Sequence, residues 1–179
     1  MRGYLAECFD ELLGKYPGLR FIDNHDYAST NNISSAVLAA THFENAYVFE
    51  SDLLLKNSAL ITRYQYQSNY LGVPVGHTDD WCFTTEDGII CDLKKGGDSC
   101  HHMYGISYWS AEDGRRLADD LPRVFEDGAT RQRFWDDVPC VICREHYRIA
   151  IRACSFDDID EIDSFEELCA VDGSYTDWG

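Results

Sequence analysis

A chain of 179 residues is long enough for one domain with a hydrophobic core, since single domains commonly span about 100 to 200 residues. Its composition, 45% hydrophobic and 26% charged, is that of a globular protein and not of a disordered one. The net charge of -17, from 32 acidic and 15 basic residues, makes nucleic acids and anionic membrane surfaces poor partners, because both require a positive field. We therefore expect residues 1–179 to form a single domain that binds small molecules.

The N-terminal residues lack the apolar run of a secretion signal, and no segment reaches the roughly 20 consecutive apolar residues of a membrane span. These features predict a cytoplasmic protein. Its eight cysteines are then expected to be reduced and mostly buried as small hydrophobic residues. Cys140 and Cys143 have the spacing of half a zinc site, but no second half with the usual spacing accompanies them.

The elements of the first fifty residues follow from apolar spacing. A first helix is predicted by six apolar residues at helical spacing: Leu5, Cys8, Phe9, Leu12, Leu13 and Tyr16. Pro17 and Gly18 end this helix, and residues 19–22 are expected to form an extended strand. A second helical pattern begins at Asn32, and the apolar run 46–49 that follows it is typical of a short, buried parallel strand.

The middle of the chain predicts antiparallel structure. Residues 81–84 and 89–91 flank the turn residues Asp87 and Gly88, which is the pattern of a β-hairpin. Residues 105–109 form another strand candidate. An antiparallel insertion among alternating helices and strands indicates a three-layer α/β domain with a mixed sheet.

The last third of the chain contains two helix starts and one strand. Ser110 has the spacing of a capping box and opens a helix that ends near Asp127, and Ser164 opens a final helix in the same way. Residues 147–154 predict a strand. The acidic run at residues 157–163 has the composition of a solvated loop more often than that of a site.

Two acidic motifs, at residues 50–52 and 134–137, are the strongest candidates for chemistry. Asp52 follows the predicted strand at its carboxyl end, where open α/β sheets bind ligands. Carboxylates such as Asp52 and Asp136, brought together from distant segments, can hold Mg2+, which also binds substrate phosphates. The alternatives are a helix N-cap or turn residue for Asp52, and a surface carboxylate in the first turn of a helix for Asp136.

Seven segments resemble, in chain order, successive blocks of the bacterial choline-phosphate cytidylyltransferases: residues 3–9, 24–27, 31–35, 47–52, 105–109, 135–137 and 161–164. Those enzymes are sugar-nucleotide-type nucleotidyltransferases. Each block alone is weak, but the set is specific and spans nearly the whole chain. The resemblance implies a Rossmann-like nucleotide-diphospho-sugar transferase fold.

The resemblance also implies an activity: transfer of a cytidylyl group from CTP to phosphocholine, giving CDP-choline and pyrophosphate. Asp52 and Asp136 would be the catalytic residues and the ligands of the Mg2+ cofactor. The reaction is an in-line displacement at the α-phosphate, in which the cation neutralises charge and the protein positions the groups, so that no protein nucleophile is needed.

Four aromatic residues, in these blocks or elsewhere in the chain, indicate a cationic acceptor. A quaternary ammonium cannot donate hydrogen bonds and is best held by aromatic faces beside carboxylates. The expected acceptor-binding residues are Trp81, Tyr108, Trp109, Trp135, Asp80 and Asp137. The alternative for each aromatic residue is a place in the core. Asn31 and Asn32 match a block near the nucleotide, where an amide can contact the pyrimidine, although asparagine before a helix is more often a cap.

The chain departs from the family pattern at its start. The family's first strand, its Gly-rich loop with an arginine, and the lysine that follows are absent, and these groups would hold the triphosphate. The expectation is an N-terminally truncated chain that lacks a central strand and is inactive or weakly active. Two alternatives stay open: a non-catalytic remnant that binds choline or phosphocholine, and a nucleotidyltransferase for a sugar phosphate or another amino-alcohol phosphate. The oligomeric state stays open as well.

Overall fold

The structure is a computed structural model that describes residues 1–178. The α-helices are α1 (Leu12–Lys15), α2 (Ile33–Ala39), α3 (Ala111–Glu126) and α4 (Phe165–Val171). The strands are β1 (Ala46–Phe49), β2 (Leu53–Leu55), β3 (Asn69–Glu86), β4 (Ile89–Trp109), β5 (Ala150–Ala153) and β6 (Ile159–Glu161). A π-helical turn spans Val138–Ile142, and short 3-10 turns lie at Ala6–Phe9, Ala40–His42, Ser58–Leu60, Gly128–Thr130, Arg144–His146 and Gly173–Trp178.

Four of the six strands form the main sheet, in the order β1-β4-β3-β5. The β1–β4 and β3–β4 pairs are antiparallel, whereas β3 and β5 run parallel. The remaining strands, β2 and β6, form a separate antiparallel pair. The predicted α/β fold with a mixed sheet is therefore confirmed.

The two faces of the main sheet bury separate apolar clusters. Helices α2 and α3 cover one face, where Ile33, Leu117 and Trp109 are fully buried. The other face packs against the β2–β6 pair through a smaller cluster that contains Leu71 and Ile159. Successive side chains of a strand point to opposite faces, so β1, β3 and β4 each contribute to both clusters.

The β3–β4 hairpin is the central element of the fold and is longer than predicted. Asp87 and Gly88 have φ values of 49° and 75°, as a two-residue hairpin turn with two left-handed positions requires. Beyond the predicted hairpin, β4 continues without interruption through residues 105–109. Cys82 pairs with both Lys94 and His102, so the hairpin curls over itself through several register shifts. This curl brings residues near its tip towards the middle of β4.

Both predicted capping positions are observed. The Ser110 hydroxyl accepts a hydrogen bond from Asp113 N (3.2 Å) at the start of α3. At the start of α4, Ser164 accepts from Glu167 N, and the Glu167 carboxylate accepts from Ser164 N. These bonds satisfy amides that have no partner within the helix.

Three sequence-based predictions are wrong. The first helix is broken into a 3-10 turn and the one-turn α1, and Leu5, with φ 49°, is half exposed. Residues 19–22 contain no strand. Strand β1 is antiparallel and lies at one end of the sheet order, with Phe49 45% exposed, because its partner is the returning strand of the hairpin and not a parallel strand.

Helices long and apolar enough to cross a membrane do not occur among residues 1–178.

Candidate functional site

A cavity of about 190 Å³ collects residues from four parts of the chain. It is lined by Glu50, Asp80, Trp81, Leu93, Met103, Gly105, Phe134, Asp136, Asp137 and Glu161. Five of these ten residues are carboxylates and none is basic, so the cavity concentrates negative charge. Such a lining disfavours a bare anion and favours a ligand group with positive charge.

Glu50 enters the cavity because a glycine faces it. Glu50 N donates to Gly105 O (2.9 Å), which extends the β1–β4 ladder by one residue. A Cβ atom at Gly105 would lie only 2.2 Å from Glu50 Oε2, so the absence of a side chain there makes room for the carboxylate. Burial, followed by the charges of Asp52 and Asp163, raises the pKa of Glu50.

Asp136 is the most buried carboxylate of the cavity, at 3% exposure. Its Oδ1 accepts a hydrogen bond from the Tyr70 hydroxyl (2.6 Å). Burial raises the pKa of Asp136 to about 7, and the nearby charge of Glu50 adds to this rise. An anion at this position is thus poorly compensated by the protein itself.

The β2–β6 pair brings a second group of carboxylates together. Leu53 pairs with Glu161 in this ladder, and Ile162 N donates to Asp52 O (2.9 Å). As a result, carboxylate oxygens of Asp52, Glu161 and Asp163 lie within 4.8 Å of one another. Desolvation, followed by the charges of Asp163 and Asp52, raises the pKa of Glu161 to about 7.

This all-oxygen donor set fits a hard divalent cation such as Mg2+. Asp52 Oδ1 is buried and has no hydrogen-bond partner among the described residues. A buried carboxylate oxygen without a partner is unfavourable unless a ligand completes it. Asp52, Glu161 and Asp163 are therefore the residues that fit the Mg2+ expected from the sequence.

The ligand pair expected from the sequence, Asp52 with Asp136, stays a prediction, and the structure brings other carboxylates to Asp52. Among residues 1–178, the convergent groups of three potential metal ligands include Asp52 but not Asp136. Asp136 is instead buried, accepts a hydrogen bond from the Tyr70 hydroxyl, and interacts with the charge of Glu50. Asp163, assigned to a solvated acidic loop by composition, is the carboxylate that meets Asp52.

The structure separates the predicted acceptor-binding residues into two sets. Trp81, Asp80 and Asp137 line the cavity, and the Trp81 ring contacts Phe134 edge-to-face, with the centroids 5.4 Å apart. Asp137 also lies 3.4 Å from Arg133. Trp81 thus presents an aromatic face beside carboxylates, as a cationic ligand requires.

The other three aromatic residues are part of the core. Trp109 is fully buried and donates to Ser107 Oγ (3.0 Å). Trp135 is buried against Phe43, with the ring centroids 5.4 Å apart. Tyr108 donates to Asn45 Oδ1 (3.3 Å). None of these three residues lines the cavity. The helices cover the sheet face that carries Trp109, and the side chains of all three residues are buried by packing.

Asn31 and Asn32 connect the start of α2 to the loop that carries Asp136. Asn31 Nδ2 donates to Gln132 O (3.3 Å), and Asn32 Oδ1 accepts from Trp135 N (2.8 Å). Asn32 occupies the N-cap position without capping the helix through its side chain. In this structure both amides position the 131–136 loop, and their predicted contact with a nucleotide stays a prediction.

Sequence reasoning did not single out five residues that shape this region: Glu50, Glu161, Asp163, Phe134 and Tyr70. Glu50 and Phe134 belong to the two acidic motifs, and Glu161 and Asp163 to a block that resembles the family. The shared signal was that block, in which Glu161 ends β6 and Asp163 follows two residues later. Tyr70 carried no signal, because its pairing with Asp136 depends entirely on the fold.

Comparisons with known proteins agree with this architecture. The chain is 36% identical over 177 residues to the 2-aminoethylphosphonate cytidylyltransferase of Lancefieldella rimae, covering 97% of this chain and 72% of that protein. It is 30% identical over 173 residues to the choline-phosphate cytidylyltransferase of Streptococcus pneumoniae, covering 92% of this chain and 72% of that protein. No family profile matches the chain.

The fold also matches a solved structure. The CTP:phosphocholine cytidylyltransferase from Streptococcus pneumoniae superposes with a TM-score of 0.83 at 24% identity, covering 96% of this chain and 75% of that one. The mixed sheet and the likeness to these relatives define a nucleotidyltransferase. The chain belongs to the cytidylyltransferase family.

Proposed function

We propose that this protein catalyses Mg2+-dependent transfer of a cytidylyl group from CTP to 2-aminoethylphosphonate, with release of pyrophosphate. The observation that carries the proposal is the cavity with five carboxylates and no basic residue in its lining. A small phosphonate that ends in an ammonium group supplies the positive charge that this cavity lacks. Both relatives are named as cytidylyltransferases, which supports the cytidylyl group as the group transferred. The name of the Lancefieldella rimae relative supports 2-aminoethylphosphonate as the acceptor.

The carboxylates favour a primary ammonium. Glu50 lines the cavity and makes no side-chain hydrogen bond with other described residues, so its oxygens are available to accept. A primary ammonium donates three hydrogen bonds, and charge-assisted bonds to carboxylates are among the stronger ones. Binding of the cation would also lower the raised pKa values of Glu50 and Asp136, since an opposite charge favours the ionised form.

The reaction requires positioning more than covalent chemistry by the protein. An oxygen of the acceptor phosphonate forms a bond to the α-phosphorus of CTP while the bond to the bridging oxygen breaks, and pyrophosphate leaves with that electron pair. Asp52, Glu161 and Asp163 would hold Mg2+, which supplies charge neutralisation at the phosphates. Glu50 and Asp136 would anchor the ammonium end, and so fix the direction of attack.

Phosphocholine, the acceptor expected from the sequence, is the second candidate. Trp81 and Phe134 offer two aromatic faces in the cavity, and aromatic faces hold a quaternary ammonium. The remaining predicted aromatic residues are in the core, so an enclosing aromatic cage is not formed by the described residues. A relative of this specificity is also among the matches.

The test is a pyrophosphate-release assay with CTP and Mg2+, comparing 2-aminoethylphosphonate with phosphocholine. We expect the higher kcat/KM with 2-aminoethylphosphonate. Trp81→Leu should then raise the KM of that acceptor by less than about threefold, whereas the KM of phosphocholine should rise about tenfold, as loss of a cation–π contact predicts. Tyr64→Leu, at a tyrosine that is 76% exposed, is the matched control.

A higher kcat/KM with phosphocholine, together with a large rise of its KM in Trp81→Leu, would make phosphocholine the acceptor in place of 2-aminoethylphosphonate. Absence of turnover with both acceptors, together with choline binding that needs neither CTP nor Mg2+, would contradict both candidates. That outcome would leave the non-catalytic binding protein considered from the sequence. Turnover of sugar phosphates with unchanged KM in Trp81→Leu would instead support a sugar-phosphate enzyme.

A further inference from the structure

We propose that Asp80, His102 and Glu161 form a second cation site, which binds a divalent transition metal such as Zn2+ in the wall of the acidic cavity. One potential ligand atom from each of these residues lies within 4.8 Å of the other two. The three residues come from three elements: Asp80 from β3, His102 from β4 and Glu161 from β6. The site is distinct from the all-oxygen group in which Glu161 meets Asp52 and Asp163.

Packing holds the imidazole of His102 in place. Its ring contacts Tyr104 edge-to-face, with the centroids 5.4 Å apart, and Phe156 at the same distance. Thr78 Oγ1 lies 3.3 Å from His102 Nδ1 and also accepts from Asp80 N (3.2 Å). One hydroxyl therefore lies against two of the three ligand residues, as neighbours of metal ligands commonly do.

All three side chains retain donor atoms for a metal. Asp80 uses Oδ1 to accept from Trp81 N (2.7 Å), which leaves Oδ2 available. Glu161 makes no side-chain hydrogen bond with the described residues, and desolvation, with further charges that include Asp80, raises its pKa to about 7. A carboxylate has two oxygens, so Glu161 can contribute to both cation sites.

The donor set separates the two sites by metal type. Asp52, Glu161 and Asp163 offer only oxygen, which suits Mg2+. An imidazole with two carboxylates suits Zn2+, Co2+ or Mn2+ better than Mg2+. Three protein ligands also leave a fourth position open, as is common for zinc in functional sites.

A competing candidate elsewhere in the chain is already satisfied. Asp120, Cys143 and His146 also place ligand atoms within 4.8 Å of one another. However, Asp120 already bonds to Arg123, His146 and Tyr147. A metal bound to Asp120 would have to displace these hydrogen bonds beside the positively charged guanidinium of Arg123. A metal bound to His102 would displace no hydrogen bond of comparable strength.

The position of the site has a functional consequence, which rests on the proposed function. Asp80 and Glu161 line the cavity that we assign to the ammonium end of the acceptor. A transition metal at His102 would occupy that cavity wall and neutralise its carboxylates. Zn2+ should therefore inhibit by competing with the acceptor and not with CTP.

The first test is independent of catalysis. Co2+ is titrated into the metal-free chain at neutral pH, with Mg2+ present to occupy the all-oxygen group, and binding is followed by the visible absorption of Co2+ and by calorimetry. We expect His102→Gln to weaken Co2+ binding at least about tenfold, and Asp80→Asn to do the same. His77→Gln is the matched control, since His77 contacts Asp79 and Asp98 on the same hairpin without forming a convergent group.

Equal Co2+ affinity in the native chain and in His102→Gln would overturn the proposal. Loss of binding in His146→Gln alone would also overturn it, by locating the metal at Asp120 and Cys143. The kinetic arm then tests the consequence: Zn2+ inhibition relieved by more acceptor, and at least about tenfold weaker in His102→Gln. If Co2+ binds as expected but Zn2+ does not compete with the acceptor, the result would count against the assigned acceptor cavity and leave the metal site in place.

Discussion

Two buried aspartates of this protein have pKa values that are shifted in opposite directions. Asp120 and Asp136 are 6% and 3% exposed. Burial opposes the ionisation of Asp120, but hydrogen bonds from His146, Tyr147 and Arg123 outweigh it and lower the pKa of Asp120. Asp136 has one bond, from Tyr70, and burial raises its pKa to about 7.

The difference lies in which partners each carboxylate meets. Asp120 joins α3 to the segment before β5 and has its charge compensated within the protein. Around Asp136 the nearest charges, those of Glu50 and Asp137, are also negative. The compensated charge of Asp120 can therefore stabilise the fold, whereas the ionised form of Asp136 is unfavourable until a cation binds. We infer that uncompensated negative charge marks the binding region.

The largest effect is expected at the proposed Mg2+ group. Asp163→Asn removes one charged oxygen from the group with Asp52 and Glu161, so kcat/KM should fall about 100-fold, equivalent to about 2.7 kcal/mol. Steady-state kinetics at several Mg2+ concentrations measures this. Asp157→Asn, an exposed carboxylate in the same acidic run, is the control and should be neutral. Equal losses in both variants would contradict a specific role for Asp163.

The next effect concerns Asp120. Asp120→Ala leaves His146, Tyr147 and Arg123 without their shared acceptor, and should lower the free energy of unfolding by about 2 kcal/mol, less than for a fully enclosed pair because His146 and Arg123 reach solvent. Urea denaturation measures this. The exposed neighbour Asp119→Ala should stay within about 0.5 kcal/mol. An unchanged acceptor KM in Asp120→Ala would distinguish the structural carboxylate from those of the cavity.

The sequence predicted the local elements better than the long-range contacts. The turn at Asp87, the helix starts at Ser110 and Ser164, and the mixed sheet depend on local chemistry and on the spacing of apolar residues, and they are observed. The first helix failed because apolar spacing indicates a face to bury, and Leu5 and Phe9 remain exposed in this structure.

The site was predicted in part, and the reason is geometric. Asp52 and Asp136 were chosen from motifs and Trp81 as an aromatic residue suited to a cation, and all three lie in or beside the cavity region. The partner of Asp52 was missed because it is set by the pairing of β2 with β6, two three-residue strands separated by about a hundred residues. Whether a tryptophan lines a cavity or fills the core depends on which face of a strand is covered, and composition carries no such information.

A smaller effect tests the space around Glu50. Gly105→Ala places a methyl group against the Glu50 carboxylate, where a Cβ would meet Oε2 at 2.2 Å, so the carboxylate must move. We expect the acceptor KM to rise about tenfold, equivalent to about 1.4 kcal/mol, with a modest loss of stability from overpacking. Gly76→Ala is the matched control in the same hairpin, because a Cβ there would have no neighbour within 4 Å. An unchanged KM in Gly105→Ala would argue against Glu50 as an acceptor ligand.

The last effect is a pH dependence that sets Asp136 apart from Asp120. The pKa of Asp136 is raised from 3.8 to about 7, so the folded state binds this proton more tightly than the unfolded state does. The stability that this carboxyl contributes is complete below about pH 4 and is lost as pH rises towards about 7. Asp136→Asn keeps an acceptor for Tyr70 without the charge, so its unfolding free energy relative to the native chain should increase between about pH 4 and pH 7, by no more than about 1.4 kcal/mol per pH unit. Denaturation at four pH values without divalent cations measures the difference, and Asp119→Asn should show no such trend. A difference independent of pH would mean that Asp136 is already ionised at pH 5 in the folded chain, and the contrast between the two aspartates would then lie in their partners alone.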